Sequence, residues 1–150
     1  MRVGWWALAP ALPMATADPQ GSILRSYVVT DDAIAVSLTG QPGDAAKGAQ
    51  LVQQRHKSLC VLCHSGPFPE PHLQGTIAPT LAGVGSRLSA GQLRLRIVDM
   101  KRLNPQSIMP TYYGTVADDE GSRVAAEWRG KPILTTDEIE DVVAYLQTLK

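Results

Sequence analysis

The sequence Cys60-Val61-Leu62-Cys63-His64 places two thiols three residues apart and an imidazole directly after them. Residues three apart on a helical turn lie on the same side, so both thiols can react with one flat ligand. Each thiol can add to a vinyl group of a porphyrin, while the imidazole that follows binds its iron. This pattern is that of c-type haem attachment. We therefore predict one covalent haem c, held by Cys60 and Cys63, with His64 as an axial iron ligand.

Two cysteines at this spacing also occur in other kinds of site. A thioredoxin-like redox pair needs a βαβ frame, whereas the flanks here are a predicted helix and a proline-rich loop. A zinc site needs four ligands. Cys60 and Cys63 with two of His56, His64 and His72 would supply that number, but at no common zinc-finger spacing. A structural disulfide between the two thiols is the remaining alternative.

The iron of an electron carrier usually has a second strong ligand, often a methionine. After the attachment motif the chain offers Met100 and Met109. Met100 lies on the apolar side of a predicted helix, where we expect it to pack in the core. Met109 lies in a loop between two prolines, which limit the movement of a side chain directed at the iron. We predict Met109 as the distal ligand; His56 and His72 remain alternatives at this stage.

Three segments have the spacing and caps of amphipathic helices. They run from Asp44 to about Arg55, from Ser89 to about Leu103, and from Thr135 to the end of the chain. The segments 65–85 and 104–132 are rich in proline and glycine, which predicts loops. Loops of that length need something to organise them, and a haem would do so. The sequence therefore predicts an all-α domain with three main helices and long loops around one haem.

The first 17 residues differ from the rest of the chain. One basic residue, Arg2, precedes an apolar run, and Ala15-Thr16-Ala17 has the small-x-small form of a signal-peptidase site. The run is too short and too broken by prolines to span a bilayer. We predict a signal peptide at 1–17, export to a bacterial periplasm and a mature protein that is not membrane-embedded. An unstructured start or a membrane anchor are the alternatives.

Between this leader and the first helix lies an N-terminal extension, residues 18–43, and the haem domain is predicted at 44–150. Ile34, Val36 and Leu38 alternate with smaller residues in the extension, which predicts a short strand. We expect that these three side chains cannot all be buried in the haem domain. The extension is therefore a candidate for part of a partner-binding surface.

The charges of the chain balance, with 14 basic and 14 acidic residues. This argues against a nucleic-acid binder, which would normally carry a basic surplus. Between Arg87 and Arg102 five residues are basic, against one acid, Asp99. The sequence favours a solvated helix face for this stretch, with a docking face for an acidic partner as the alternative.

The stretch Ala78-Pro79-Thr80-Leu81-Ala82-Gly83 resembles the G-P-x-L-x-G motif of class I cytochromes c, with Ala78 in place of the usual glycine. The resemblance implies that the Pro79 carbonyl accepts a hydrogen bond from the haem histidine, which would fix its tautomer. Arg87 resembles the arginine that faces a haem propionate in that class; a solvated loop charge is the alternative.

Longer stretches resemble the SoxX family of sulfur-oxidation cytochromes. The most specific are Ile108-Met109-Pro110-Thr111-Tyr112-Tyr113 and Gly130-Lys131-Pro132-Ile133-Leu134. Residues 77–87, 93–99 and 138–146 resemble the family as well. The likeness extends over about residues 34–150 and is weak at 115–129.

This resemblance implies a periplasmic heterodimer with a SoxA-like haem subunit, which joins thiosulfate oxidatively to a cysteine on a SoxYZ-like carrier. In such an L-cysteine S-thiosulfotransferase, our chain would be the electron-transfer subunit and would pass electrons to a small soluble acceptor. Apart from Cys60 and Cys63 the chain has no cysteine. We therefore expect the sulfur chemistry on the partner subunit and no catalytic residue here.

Two other functions remain open. A freestanding periplasmic electron carrier to a terminal oxidase would share the haem site, but would commonly be shorter before its first helix. A haem enzyme such as a peroxidase would need an open iron position, which a Met109 ligand would fill.

Overall fold

The computed structural model describes residues 24–114, 125 and 128–150. The leader and residues 18–23 of the extension lie outside this part of the chain. The α-helices are α1 (Ala45–Gln53), α2 (Cys60–Cys63), α3 (Val84–Arg87), α4 (Ala90–Asp99) and α5 (Thr136–Thr148), and 3-10 helices span Pro71–Leu73 and Met100–Arg102. The described residues form no strands, so the all-α prediction with three main helices, α1, α4 and α5, is confirmed. No helix among them has the length and apolar character needed to cross a bilayer.

Each main helix begins at the residue that the sequence predicts. The Asp44 carboxylate accepts from the backbone N–H groups of the first turn of α1. Ser89 with Gln92, and Thr135 with Glu138, form capping boxes at the starts of α4 and α5. The first helix ends slightly earlier than predicted, and the second continues past α4 as a 3-10 turn. Local sequence signals therefore account for where these helices start.

Helices α1 and α5 cross with their backbones in close approach. A Cβ atom at Gly48 would overlap the backbone oxygen of Asp141, so glycine is needed at the crossing. The Asp141 carboxylate also accepts from the backbone N–H of Asp44 at 2.6 Å. Leu51 and Val52 are buried on the same face of α1. The crossing therefore joins the start of the predicted haem domain to its last helix.

The N-terminal segment, residues 24–43, packs differently from the sequence-based prediction. Ile34 and Leu38 are 1% and 6% exposed, whereas Val36 is 75% exposed. The strand prediction is wrong, because the backbone forms only an isolated bridge between Thr30 and Ala33 within the described residues. The expectation that the three apolar side chains cannot all be buried holds, because Val36 is exposed while Ile34 and Leu38 are buried. Both belong to the main hydrophobic core.

A buried ion pair explains how this segment is held. Arg94 of α4 and Glu140 of α5 are 6% and 2% exposed and form two parallel contacts of 2.7 and 2.9 Å. Arg94 also donates to the backbone oxygen of Ile34 at 2.6 Å, and Glu140 accepts from the backbone N–H of Leu38 at 2.8 Å. The pair thus uses its remaining hydrogen-bonding capacity on the N-terminal segment.

The sequence favoured a solvated helix face for the basic stretch between Arg87 and Arg102. The structure does not show a uniform one. Arg94 is buried in the ion pair. Arg96 is partly buried and contacts the Asp32 carboxylate of the N-terminal segment at 3.3 Å. Arg102 contacts Asp99 one turn away at 3.7 Å and is largely exposed. Two of the five basic side chains hold the N-terminal segment.

Candidate haem-binding site

The attachment motif forms the short helix α2, as the spacing of its two cysteines requires. Leu59, immediately before it, has a φ of +62°, an unusual conformation for a residue with a side chain, and it turns the chain into α2. His64 follows in an extended conformation, and its N–H donates to the Cys60 oxygen at 2.9 Å. Cys60 and Cys63 form no disulfide with each other. Burial raises the pKa of the Cys60 thiol and keeps it neutral.

The His64 ring is oriented by a backbone carbonyl. Its Nδ1 lies 2.6 Å from the Pro79 oxygen. A carbonyl can only accept, so Nδ1 carries a proton, and in the neutral form of the ring Nε2 keeps its lone pair. This is the contact that the class I resemblance implies for Pro79. The neutral imidazole is thereby prepared to bind a metal through Nε2.

The loop that carries Pro79 is attached to the haem-attachment segment by backbone hydrogen bonds. They run from Gly75 N to Val61 O at 2.9 Å, from Ala78 N to Cys63 O at 3.0 Å and from Leu81 N to Ser65 O at 2.7 Å. Successive contacts on both sides of Pro79 leave its carbonyl little freedom to move away from His64.

Arg87 adds a side-chain contact to the same loop. Its guanidinium donates to the backbone oxygens of Ala82 at 2.6 Å and Thr80 at 3.0 Å. The side chain is exposed and also lines the cavity described below. In this structure Arg87 thus supports the loop, and its approach to a propionate stays a prediction.

A cavity of about 840 Å³ opens beside α2. Cys60, Cys63 and His64 line it from one side, and Met109 lines it from the loop after α4. The volume is within the range of ligand and cofactor pockets. Its apolar wall comes from all three main helices and the loop before α5, through Val52, Leu93, Ile97, Leu134, Val142 and Leu146. Two thiols, an imidazole with a free Nε2, a thioether and apolar walls fit a haem c.

Both candidate methionines line this cavity, and both are half-buried. The prediction that Met100 packs in the core is therefore wrong. The loop that carries Met109 is ordered by its own contacts: the Met109 N–H donates to Ser107 Oγ at 3.2 Å, and Thr111 Oγ1 donates to Asp99 Oδ1 at 3.1 Å. The placement is compatible with either sulfur as a ligand.

The histidine and zinc alternatives find no support in the structure. His56 and His72 are exposed, and neither lines the cavity. No group of three or more His, Cys, Asp or Glu side chains in the described part of the chain could hold a metal ion. Methionine is thus the residue type, besides His64 and the two cysteines, that the fold brings to this cavity as a possible iron ligand.

One residue of the site was not identified from the sequence. Tyr112 lines the cavity and is 3% exposed, and its hydroxyl donates to the backbone oxygen of Ser58, two residues before the first cysteine. Its place in the Met109-Pro-x-Tyr-Tyr stretch was the available signal. Sequence alone could not assign its role, because its partner lies 54 positions away.

Comparisons with known proteins agree with this geometry. A family model for cytochrome c matches residues 45–150. A search of curated proteins finds no match. Among solved structures, the chain is similar to a chain in the crystal structure of SoxXA from P. pantotrophus, with a TM-score of 0.71 and 36% sequence identity. The alignment covers 83% of this chain and 94% of that chain.

Proposed function

The chain belongs to the cytochrome c family, as a SoxX-like class I cytochrome with one covalently bound haem c, and on that premise we propose its role. It is the electron-transfer subunit of a SoxAX-like periplasmic complex that couples thiosulfate to a cysteine of a SoxYZ-like carrier protein. The observation that carries this proposal is the likeness to a chain of SoxXA at 36% identity over 94% of that chain.

The proposed haem contacts follow from the residues that line the cavity. Cys60 and Cys63 form the two thioethers, and His64 binds the iron through Nε2. Met109 would supply the second iron ligand, because it lines the same cavity from a loop in which two prolines limit its movement. When bound, the haem supplies a one-electron redox couple whose potential a thioether ligand raises.

The surrounding residues prepare this site for fast, reversible electron transfer. Pro79 holds the His64 tautomer, and Arg87 holds the Pro79 loop. The apolar wall excludes water and limits the change in solvation that accompanies a change in charge. With His64 and Met109 as its two protein ligands, the iron would have no open position, which would favour electron transfer over peroxidase chemistry.

The coupling reaction defines what this subunit must do. Joining a thiosulfate sulfur to a cysteine thiol forms a sulfur–sulfur bond and releases one proton and two electrons. The chain has no cysteine beyond Cys60 and Cys63. It therefore accepts electrons one at a time from a partner that carries out the bond formation, and it passes them to a small soluble acceptor.

Two exposed isoleucines support the assignment of a protein partner. Ile77 and Ile108 are 70% and 78% exposed, and both line the cavity, so they stand at its opening. They belong to two different segments, the Pro79 loop and the Met109 loop. Apolar side chains at the entrance of a redox site are suited to burial against another protein. We assign this opening to the SoxA-like haem subunit.

The ligand assignment is tested with matched methionine variants. Met109→Ala should abolish the near-infrared sulfur-to-iron absorption band of the oxidised holoprotein and lower its potential. Met100→Ala should keep the band and lose less stability than the about 2–5 kcal/mol of a fully buried methionine. The reverse pattern would move the distal ligand to Met100.

The partner assignment is tested by purification from the native host, followed by binding measurements. A second haem protein should co-purify, and thiosulfate with the carrier protein should reduce this chain through it. Ile77→Lys with Ile108→Lys should weaken the association about tenfold or more. Leu73→Lys, at an apolar site that is 43% exposed and outside the cavity lining, is the matched control. A chain that purifies alone and is reduced without a haem partner would support the freestanding-carrier alternative instead.

A further inference from the structure

Two adjacent buried tyrosines follow Met109 and direct their hydroxyl groups to different parts of the molecule. Tyr112 and Tyr113 are 3% and 4% exposed. The Tyr112 hydroxyl donates to the backbone oxygen of Ser58, next to the haem-attachment helix. The Tyr113 hydroxyl accepts from the backbone N–H of Arg25 in the N-terminal segment at 2.6 Å. The pair thus links the Met109 loop to two separate segments.

The Ser58 end of the first link is rigidly held. Ser58 is fully buried, and its hydroxyl donates to the Leu51 backbone oxygen of α1 at 2.5 Å. The Ser58 oxygen also lies 3.5 Å from the Cys60 sulfur. A thioether has no S–H, so haem attachment at Cys60 removes that sulfur as a donor. The tyrosine hydroxyl then remains as the side-chain donor to this carbonyl.

The Tyr112 end is equally constrained. Its backbone oxygen accepts from the N–H of Leu134, a core residue that is 1% exposed. Its ring lines the cavity together with Met109, three positions earlier. Burial raises the pKa of the Tyr112 phenol, so it stays a neutral donor at physiological pH. The side chain therefore spans from the wall that carries Met109 to the wall that carries Cys60.

We propose that Tyr112 is a positioning residue for the distal ligand, which holds the Met109 loop at a fixed separation from the haem-attachment segment. The proposal rests on the ligation by Met109 described above. Only two residues, Pro110 and Thr111, connect Tyr112 to Met109, so the position of the tyrosine is transmitted to the methionine. Release of the hydroxyl from Ser58 would let the loop withdraw, and the bond between sulfur and iron would open more often.

The test compares Tyr112→Phe with Tyr113→Phe in the oxidised holoprotein. The two variants each remove one buried hydroxyl, at neighbouring positions, and both should lose some thermal stability. Imidazole can bind the iron only when Met109 has left it. The affinity of the holoprotein for imidazole therefore reports how often the bond between the Met109 sulfur and the iron opens. Loss of one net hydrogen bond should raise the imidazole affinity of Tyr112→Phe about two- to tenfold.

Tyr113→Phe should leave the imidazole affinity and the band unchanged, because its hydroxyl contacts the N-terminal segment instead. Equal imidazole affinities in Tyr112→Phe and the parent protein would overturn the proposal, as would an equal change in Tyr113→Phe. If Tyr112→Phe yields no holoprotein, Ser58→Ala gives the same test from the other end. It removes the hydroxyl bond to Leu51 but keeps the bond from the Ser58 N–H to the Gln54 oxygen, so the accepting carbonyl is loosened and not freed. The affinity should rise by a smaller factor, and an unchanged affinity would overturn the proposal.

The Met109→Ala variant separates this inference from the proposed ligation. If that variant keeps the near-infrared band, the ligand assignment fails and the role of Tyr112 fails with it. If it loses the band while Tyr112→Phe behaves as the parent protein, the ligand assignment stands and the inference on Tyr112 alone is overturned.

Discussion

The haem-attachment segment, residues 58–88, and the N-terminal segment, residues 24–43, are held in the fold by different kinds of contact. The attachment segment is closed by backbone hydrogen bonds between residues about 14 to 16 positions apart, such as Gly75 to Val61 and Leu81 to Ser65. The N-terminal segment is held by side chains of α4 and α5, which lie 60 and 102 positions away. Its stability therefore depends on a distant ion pair.

This difference separates two uses of polar groups. In the attachment segment, polar contacts orient one ring, that of His64, beside a cavity. In the N-terminal segment, the Arg94–Glu140 pair satisfies backbone groups of a stretch without regular secondary structure. Changes in the first region should alter the chemistry of the site, and changes in the second should alter the stability of the whole fold.

The largest effect is expected from deletion of residues 18–40. The deletion removes Ile34 and Leu38 from the core, and each large apolar side chain contributes about 2–5 kcal/mol. We expect holoprotein yield to collapse, or the free energy of unfolding to fall by about 4–10 kcal/mol. Chemical denaturation followed by far-ultraviolet circular dichroism measures this. A truncated protein as stable as the parent would show that the segment is peripheral.

Glu140→Ala should have the next largest effect. The substitution leaves the Arg94 guanidinium buried without a counter-charge and costs about 3–5 kcal/mol. Arg102→Ala, which breaks the exposed contact with Asp99, should cost no more than about 0.5 kcal/mol. Urea unfolding of both variants gives the comparison. Similar losses in the two variants would contradict a special role for the buried pair.

Two substitutions in the N-terminal segment test whether the loss of stability depends on the burial of the side chain or only on its position in this segment. Ile34→Ala should lower the free energy of unfolding by about 2–5 kcal/mol, because the side chain is 1% exposed. Val36→Ala, two residues along and 75% exposed, should change it by about 0.5 kcal/mol or less. Neither variant should change the absorption spectrum of the haem. Equal sensitivity at the two positions would argue against this packing.

Apart from the control variants, the smallest effect on stability is expected in the attachment region. Arg87→Ala removes two exposed hydrogen bonds to the Pro79 loop and should cost about 1 kcal/mol. The reduction potential of the Arg87→Ala holoprotein should nevertheless change, because the loop carries the carbonyl that orients His64. Pro79→Ala is the control, since it keeps that carbonyl. Protein-film voltammetry measures both, and an unchanged potential in Arg87→Ala would limit Arg87 to a structural role.

The sequence by itself determined the parts that local chemistry specifies. The two cysteines and His64 predict one haem c, and Asp44, Ser89 and Thr135 predict where the main helices begin. Such signals act within a few residues, because caps and attachment motifs use neighbouring backbone and side-chain groups. The family resemblance came from the same kind of local stretches.

The tertiary structure decided what depends on distant partners. Arg94 and Glu140 look like surface charges in sequence, since a charge is buried only if its partner meets it across the core. Ile34 and Val36 are similar in sequence, but one is enclosed by α4 and the other is exposed. The hydrogen bond from Tyr112 to Ser58 likewise joins residues that no local pattern connects. Burial and long-range pairing arise from packing of the whole chain, and a one-dimensional pattern does not contain them.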